Sequence, residues 1–268
     1  KGKFFIASLT FVFAIFSVFY ALSLPNVYSS TALLAPSNEE DTFTSRMGGM
    51  SGLAGLAGVN LSPSKASTAT EAIERVKSFD FFLNYVLPNI ELENLLAVKE
   101  WVPESNIIIY DQGIFDSKTN KWIGKNFNEN NIKPSNQKAY RKYVQIFSIN
   151  VDDETGFASF SVEHQSPEIA KKWLDVIIYN INESMREIDK KDAQNAINFL
   201  NESANATSIQ SIREVIGRIL ESKMQTLMLA STNKAYVFKV LDSPIVPEIK
   251  SGPFRSIICI IGALIGGV

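Results

Sequence analysis

Histidine and cysteine are almost absent from this sequence of 268 residues, which has one of each. Cys259 lies inside an apolar run, so the chain alone cannot build a disulfide framework, a zinc site or a thiol–imidazole pair. His164 stands at the end of a predicted strand, where a structural role is more common than a catalytic one. We therefore predict no catalytic residue, no metal ligand and no cofactor, and a protein that is not an enzyme.

An excess of charge of one sign is also missing. The chain carries 26 basic and 28 acidic residues, a formal net charge of -2. A nucleic-acid-binding surface requires a marked basic excess on one face. The composition therefore excludes nucleic acid as the expected partner.

Charged residues are absent from Phe4 to Leu24, an uncharged run long enough to cross a hydrocarbon core of about 30 Å. Secretory signal peptides have shorter apolar runs of about 7–15 residues and small residues at the cleavage site. Lys1 and Lys3 precede the run, so the positive-inside rule predicts a cytoplasmic N-terminus and export of the chain after Leu24. Residues 1–24 are interpreted as a first transmembrane helix with a truncated cytoplasmic end.

A second apolar segment, residues 257–268, is too short to span a bilayer, at about 18 Å as a helix. It is interpreted as the truncated start of a second transmembrane helix. Gly262 and Gly266 form a small-xxx-small pair that permits close helix packing, although such glycines also occur in membrane helices without a packing role. Both interpretations of the pair remain open.

Residues 25–256 are predicted to form one α+β domain on the exported side. Alternating or β-rich segments predict strands at Asn26–Leu34, Val144–Val151, Gly156–Glu163 and Lys234–Leu241. The middle two form a hairpin, because a turn sequence joins them. The first and last strands follow or precede the apolar segments, so we expect them to meet in a small mixed sheet near the bilayer.

Two long helices are predicted at residues 167–200 and 208–232, separated by a turn in a polar segment that has few strong helix formers. Ser166, Pro167 and Glu168 form a helix start signal. Apolar residues recur every three or four positions in both helices, including Ile212, Ile216 and Ile219 in the second. This stripe requires a partner, either the other helix or a neighbouring subunit.

A glycine-rich loop follows the first strand, with Gly49, Gly52, Gly55 and Gly58 spaced three apart. No lysine follows at the position that a phosphate-binding loop requires, so nucleotide binding is not predicted. Two interpretations remain, a membrane-proximal apolar loop and a Gly/Ala linker.

Three prolines, Pro244, Pro247 and Pro253, lie between the last strand and the second apolar segment. Proline fixes φ and removes a hydrogen-bond donor. These residues predict a stiff, extended connector to the second membrane helix.

The order of these segments resembles the Wzz-type polysaccharide chain-length determinants, also called class 1 polysaccharide co-polymerases. The resemblance extends over essentially the whole chain. Its segments are Gly48–Leu61 followed by Glu71–Ser78, Tyr110-Asp111 with Thr119–Trp122, Thr155–Pro167 with Ala170–Trp173, and Met228–Asp242 leading into the three prolines and Arg255. The sequence departs from the family pattern at Ser243 and Phe254.

The resemblance implies a bacterial inner-membrane protein with two transmembrane helices flanking a periplasmic domain, which has an α/β base and a long helical projection. It also implies a ring-like homo-oligomer that sets the length of O-antigen or a related surface polysaccharide, without a cofactor. The expected partners are other copies of the chain, a Wzy-type polymerase, membrane lipids, and the growing polysaccharide or its lipid carrier.

Two alternatives are kept beside the regulator hypothesis. One is the membrane and periplasmic part of a co-polymerase tyrosine kinase, and the other is an export adaptor for capsule or exopolysaccharide. Asp152 and Asp153 resemble a pair of glycosidase carboxylates, but they fall in the predicted hairpin turn, where solvated acids are ordinary.

Overall fold

The computed structural model describes residues 2–37, 65–123 and 133–267. Its helices and strands alternate in the α+β order that the sequence predicts. In chain order they are α1 (Gly2–Ser23), β1 (Tyr28–Pro36), α2 (Lys65–Val76), α3 (Phe79–Phe81), α4 (Leu92–Leu96), β2 (Val98–Val102), β3 (Ile107–Tyr110), β4 (Phe115–Asp116), β5 (Lys121–Trp122), α5 (Asn136–Ile146), β6 (Phe147–Val151), β7 (Ala158–His164), α6 (Pro167–Ala206), α7 (Gln210–Thr232), β8 (Phe238–Asp242) and α8 (Arg255–Gly267). A π-helical turn (Phe82–Val86) and a 3₁₀ turn (Leu87–Asn89) follow α3.

The main sheet has four strands in the order β6-β7-β1-β8. Strands β6 and β7 form the predicted hairpin, with Phe147 opposite Val162 and Val151 opposite Ala158. β1 lies between β7 and β8, and pairs with β8 from Leu33 to Pro36. The expectation that the first and last strands meet in one sheet is therefore confirmed.

The prediction of a mixed sheet is wrong for this four-stranded sheet, in which every neighbouring pair is antiparallel. A parallel pair would require β1 beside β6, or β7 beside β8. The observed order instead separates each of those pairs by a strand of opposite direction. The sheet is small and purely antiparallel.

Aromatic rings join the helices to the sheet in the core. Tyr143 on α5 lies 5.1 Å from Phe82 and 5.4 Å from Phe147, measured between ring centroids. Phe160 on β7 lies 5.6 Å from both Phe147 and Phe238, so the line of rings reaches β8. The buried Tyr143 hydroxyl donates a 2.9 Å hydrogen bond to the Val76 carbonyl at the end of α2. Each aromatic ring pair at such a distance contributes about 0.5–1.5 kcal/mol in addition to the effect of the area that it buries.

Helix α6 is the longest element, with 40 residues and a length of about 60 Å. The predicted start is confirmed, because the Ser166 hydroxyl accepts a hydrogen bond from the Ile169 amide and Pro167 is the first helical residue. The N-terminal part of α6 packs on β1 and β7, while α7 packs back along the helix.

The break between the two long helices is shorter than predicted. Helix α6 continues to Ala206 instead of ending at residue 200, and α7 begins at Gln210 instead of residue 208. Alanines and a glutamate within residues 201–206 support the additional turn, and the Ser203 hydroxyl donates to the Phe199 carbonyl four residues back. Similarly, α5 extends to Ile146, so β6 starts at Phe147 and not at residue 144.

Candidate functional site

The two apolar helices α1 and α8 pack together, and the glycines of α8 lie at their contact. A Cβ atom added at Gly262 would lie 2.3 Å from the Cβ of Ser17, and one at Gly266 would lie 2.7 Å from the Cβ of Phe13. The Thr10 hydroxyl also donates a 2.8 Å hydrogen bond to the Gly266 carbonyl. At both positions the absence of a side chain allows the helix backbones to approach closely.

No helix within the described ranges combines the length and hydropathy that crossing a membrane requires.

The proline-containing connector after β8 runs beside the start of β1. The Ser30 hydroxyl donates to the Ile245 carbonyl at 2.8 Å, and the Val27 amide donates to the Gly252 carbonyl at 2.9 Å. The Ser251 amide completes the bridge by donating to the Val27 carbonyl at 2.8 Å. Pro244 is buried, whereas Pro247 and Pro253 are half-buried. The connector is therefore bonded to the base of the domain near both of its ends, at Ile245 and at Ser251 and Gly252.

Arg255, the first residue of α8, ties the ends of the two apolar helices together. Its Nε donates to the Ala21 carbonyl at 3.0 Å and its Nη2 donates to the Leu24 carbonyl at 3.1 Å. These carbonyls lie at the C-terminal end of α1, where helix carbonyls lack intrahelical partners. A cation there also complements the negative end of the helix dipole.

The predicted stripe on α7 divides into a buried and an exposed part. Ile216 is 8 % exposed and Ile219 is half-buried, whereas Ile212 is 43 % exposed. Large apolar side chains elsewhere on α6, on α7 and in the turn between them are also exposed, including Phe199, Ile209, Val215, Met224 and Met228. The sequence left two candidate partners for this stripe, the other long helix and a neighbouring subunit. Helix α6 covers Ile216 but leaves the exposed apolar side chains in solvent.

Asn182 is a buried polar residue whose role was not predicted from the sequence. Its Oδ1 accepts hydrogen bonds from the Val237 and Phe238 amides, both at 2.8 Å. Its Nδ2 donates to the carbonyls of Phe238 and Ile178, both at 3.2 Å. The side chain thus acts as a short additional strand at the edge of β8 and fixes β8 to α6. An asparagine between Ile181 and Met185, within the apolar stripe, was the available signal.

A second link joins α6 to the segment before β8. The Tyr236 hydroxyl donates a 2.7 Å hydrogen bond to Oδ2 of Asp189. Partial burial raises the pKa of Asp189, and the hydrogen bond from Tyr236 opposes that shift. Asn182 and Asp189 lie seven residues apart, two turns along α6, so both bonds form on one side of the helix.

His164 is a structural residue in this arrangement. Its Nε2 lies 2.9 Å from the Asn94 carbonyl, and its Nδ1 accepts a hydrogen bond from the Ser166 amide at 2.9 Å. The ring packs edge-on against Trp173 at 5.0 Å. Burial lowers the pKa of His164, so the neutral ring is favoured, with Nε2 carrying the proton donated to Asn94. Both ring nitrogens of His164 therefore have hydrogen-bond partners in the backbone.

Asp152 similarly serves the hairpin turn between β6 and β7. Its Oδ1 accepts hydrogen bonds from the amide and the hydroxyl of Thr155, both at 2.8 Å. The Thr155 amide is the main cause of a lowered pKa for Asp152. Within the described residues, no group of three or more His, Cys, Asp or Glu side chains could hold a metal ion.

The predicted glycine-rich loop with Gly49, Gly52, Gly55 and Gly58 lies outside the described residues.

No curated protein matches the chain by sequence. Among solved structures, a full-length bacterial polysaccharide co-polymerase is 12% identical, with a TM-score of 0.37, covering 99% of this chain and 90% of the other. A fragment of WzzB, a polysaccharide co-polymerase from Salmonella Typhimurium, is 15% identical, with a TM-score of 0.39, covering 85% of this chain and 100% of the other.

A family model matches the N-terminal part of the chain directly, from α1 through β1 and α2 and into the π-helical turn. The family is Wzz, described as chain length determinant protein, and the match covers residues 1–86. The resemblance that the sequence motifs indicated is therefore confirmed, and over residues 1–86 this chain matches the Wzz chain length determinant family.

Proposed function

We propose that this protein regulates the chain length of a bacterial surface polysaccharide, O-antigen or a related polymer, without being an enzyme. The match of residues 1–86 to the chain length determinant family carries the proposal. The described geometry supports a mechanical role, because His164 and Asp152 are engaged in structural hydrogen bonds. The protein then acts through its shape and assembly on a Wzy-type polymerase and on the growing polysaccharide or its lipid carrier.

In this proposal α1 and α8 lie in the inner membrane as a packed pair. Their outward side chains are large and apolar, with Phe16 and Phe19 each 71% exposed and Leu264 63% exposed. Exposed apolar surface of this kind marks a membrane or protein contact. The N-terminus is cytoplasmic and the domain from β1 to the connector is periplasmic, because Lys1 and Lys3 precede the uncharged run that starts at Phe4. A reporter active only in the periplasm, fused after Asp153, should be active, and cytoplasmic activity there would refute this topology.

The hairpin of α6 and α7 is the proposed contact between subunits in a ring-like homo-oligomer. Its exposed apolar residues include Ile212, Val215 and Phe199. A second copy would cover these side chains, and a heterologous contact of this kind closes into a ring when its rotation permits. This assembly would present several identical arms around one axis.

The direct test is the length distribution of the surface polysaccharide on a gel, in strains with and without this gene. We expect polymer in both strains, with a defined modal length only when the gene is present. Loss of all polymer in the deletion strain would indicate an export or synthesis function, and an unchanged distribution would refute the proposal.

A further inference from the structure

A polar groove of about 410 Å³ lies where the two apolar helices meet the domain. Leu22 at the end of α1 and Asn26, three residues after that helix, line it. Lys99 and Trp101 of the β2–β3 hairpin and Arg255 at the start of α8 also line the groove. The groove is therefore built from three segments that are distant in sequence.

Two basic side chains line the groove with unused hydrogen-bond donors. The Lys99 ammonium makes no hydrogen bond or ion pair to any residue that the structure describes. Arg255 is held in place through Nε and Nη2, while its Nη1 has no partner within the same ranges. Glu100 also lines the groove, so the three charged side chains carry a net charge of about +1. This charge matches a phosphodiester, which carries a single negative charge.

Lys99 projects into the groove because of an irregularity in its strand. The register of β2 against β3 shifts between Val98 and Glu100, so Lys99 is the extra residue of a bulge. Bulges redirect side chains away from the regular alternation of a strand. The irregular pairing thus serves to place one lysine beside the end of α1.

An aromatic pair borders the same groove. Tyr28 and Trp101 pack edge to face, with ring centroids 5.4 Å apart, and the Trp101 indole donates to Oδ1 of Asn106 at 2.8 Å. The Tyr28 hydroxyl has no hydrogen-bond partner among the described residues. Tyrosine and tryptophan beside basic residues are typical of the headgroup level of a membrane.

We infer that this groove binds the phosphate of a phospholipid headgroup, through Lys99, Arg255 and the Tyr28 hydroxyl. The inference rests on the proposed membrane position of α1 and α8, since that position brings headgroups to the groove. Leu22 lines the groove and is exposed, so it would contact the start of an acyl chain. A bound lipid would join α1, α8 and the β2–β3 hairpin.

The test measures lipid binding to the full chain in detergent by native mass spectrometry. The probes are dioleoyl phosphatidylglycerol, dioleoylglycerol, which lacks the phosphate, and glycerol 3-phosphate, which lacks the acyl chains. We expect the wild-type chain to retain phosphatidylglycerol in preference to either other probe. Lys99→Gln should weaken that binding roughly tenfold, since a hydrogen bond to a charged group is lost.

Matched variants separate the groove from general effects. Tyr28→Phe keeps the aromatic pair and removes only the hydroxyl, so we expect a loss of a few-fold. Lys138→Gln removes one exposed lysine from α5 and should leave binding unchanged. The inference would be overturned if the wild-type chain bound dioleoylglycerol or glycerol 3-phosphate as tightly as phosphatidylglycerol. It would also be overturned if Lys99→Gln and Lys138→Gln changed phosphatidylglycerol binding equally. The polysaccharide ladder is read independently, so failure here would not count against chain-length regulation.

Discussion

The two halves of helix α6 have different environments although their sequences look alike. From Ala170 to Met185 the helix contributes seven apolar side chains and Asn182 to the buried core, over the antiparallel sheet. Past Ala193 the described residues of α6 are all exposed or half-buried, and α7 is the element that packs along them. The first half of α6 therefore contributes to the core of the domain, whereas the second half leaves more of its surface exposed.

This contrast predicts different effects of substitutions in the two halves of the helix. A substitution in the first half should affect folding, because it changes a close-packed core. A substitution on the exposed side of the second half should affect assembly and leave folding nearly unchanged. Substitutions of buried core residues should change the free energy of unfolding most, and the protonation of His164 should change it least.

Asn182→Leu should have the largest effect on folding. It fills the same space but leaves the buried Val237 and Phe238 amides without acceptors, so we expect a loss of about 3 kcal/mol in unfolding free energy. Thermal melting followed by circular dichroism should show a fall of roughly 6–12 °C. The same substitution at the exposed Asn195, in the second half of α6, is the matched control. Equal melting temperatures for the two variants would show that Asn182 does not fix β8.

On α7, Ile216→Ala should lower the unfolding free energy by about 2 kcal/mol, because a buried side chain is truncated. Ile212→Ala should change it by less than about 0.5 kcal/mol, since that side chain is exposed. For assembly we expect the exposed position to matter more than the buried one. Ile212→Asp should therefore reduce the mass of the detergent-solubilised particle. An unchanged mass in a folded Ile212→Asp protein would rule out this face as the subunit contact.

Gly262→Ala should cost about 1.5 kcal/mol, since the added methyl group overlaps the Cβ of Ser17. The double variant Ser17→Gly, Gly262→Ala removes the Ser17 side chain that the new methyl group would overlap, and it should recover most of the loss. Melting curves of the two single variants and the double variant form the test. A double variant as unstable as the sum of its parents would contradict direct contact at this position.

The pH dependence due to His164 should be the smallest effect. Burial lowers the pKa of His164 in the folded chain, so below the ordinary value of about 6.5 the unfolded chain binds more protons. Its contribution to stability is complete above pH 6.5 and is lost as the pH falls. The melting temperature of the wild type should therefore decrease more between pH 7 and pH 5 than that of His164→Gln. Parallel decreases would show that His164 does not titrate with folding.

The sequence predicted the α+β class, the hairpin, the pairing of first and last strands and the two long helices, because each depends on local periodicity or on chain order. It did not predict which half of the helical stripe is core. Ile181 and Ile212 have the same apolar character, yet Ile181 is fully buried and Ile212 is 43% exposed. That difference depends on whether the sheet or only the other long helix lies opposite the residue, and hydrophobic periodicity does not record which.

Only those parts of the candidate site that depend on local sequence could be predicted. The glycines of α8 and the prolines of the connector have backbone preferences that are visible in sequence. The groove beside α1 is formed by residues as distant as Asn26, Lys99 and Arg255, and nothing in local sequence indicates that they meet. The bulge at Lys99 is similarly a product of strand pairing.

The most direct test of a mechanical regulator is to change the shape of the arm while leaving its chemistry intact. Asn195→Pro breaks α6 in its second half, at a cost of about 3 kcal/mol or more to that part of the helix. His164→Gln removes the lone imidazole of the chain. In a strain lacking the gene, we expect Asn195→Pro to shift or broaden the polysaccharide length distribution while polymer is still made, and His164→Gln to restore the normal distribution. A normal distribution with Asn195→Pro and a lost one with folded His164→Gln would contradict the account.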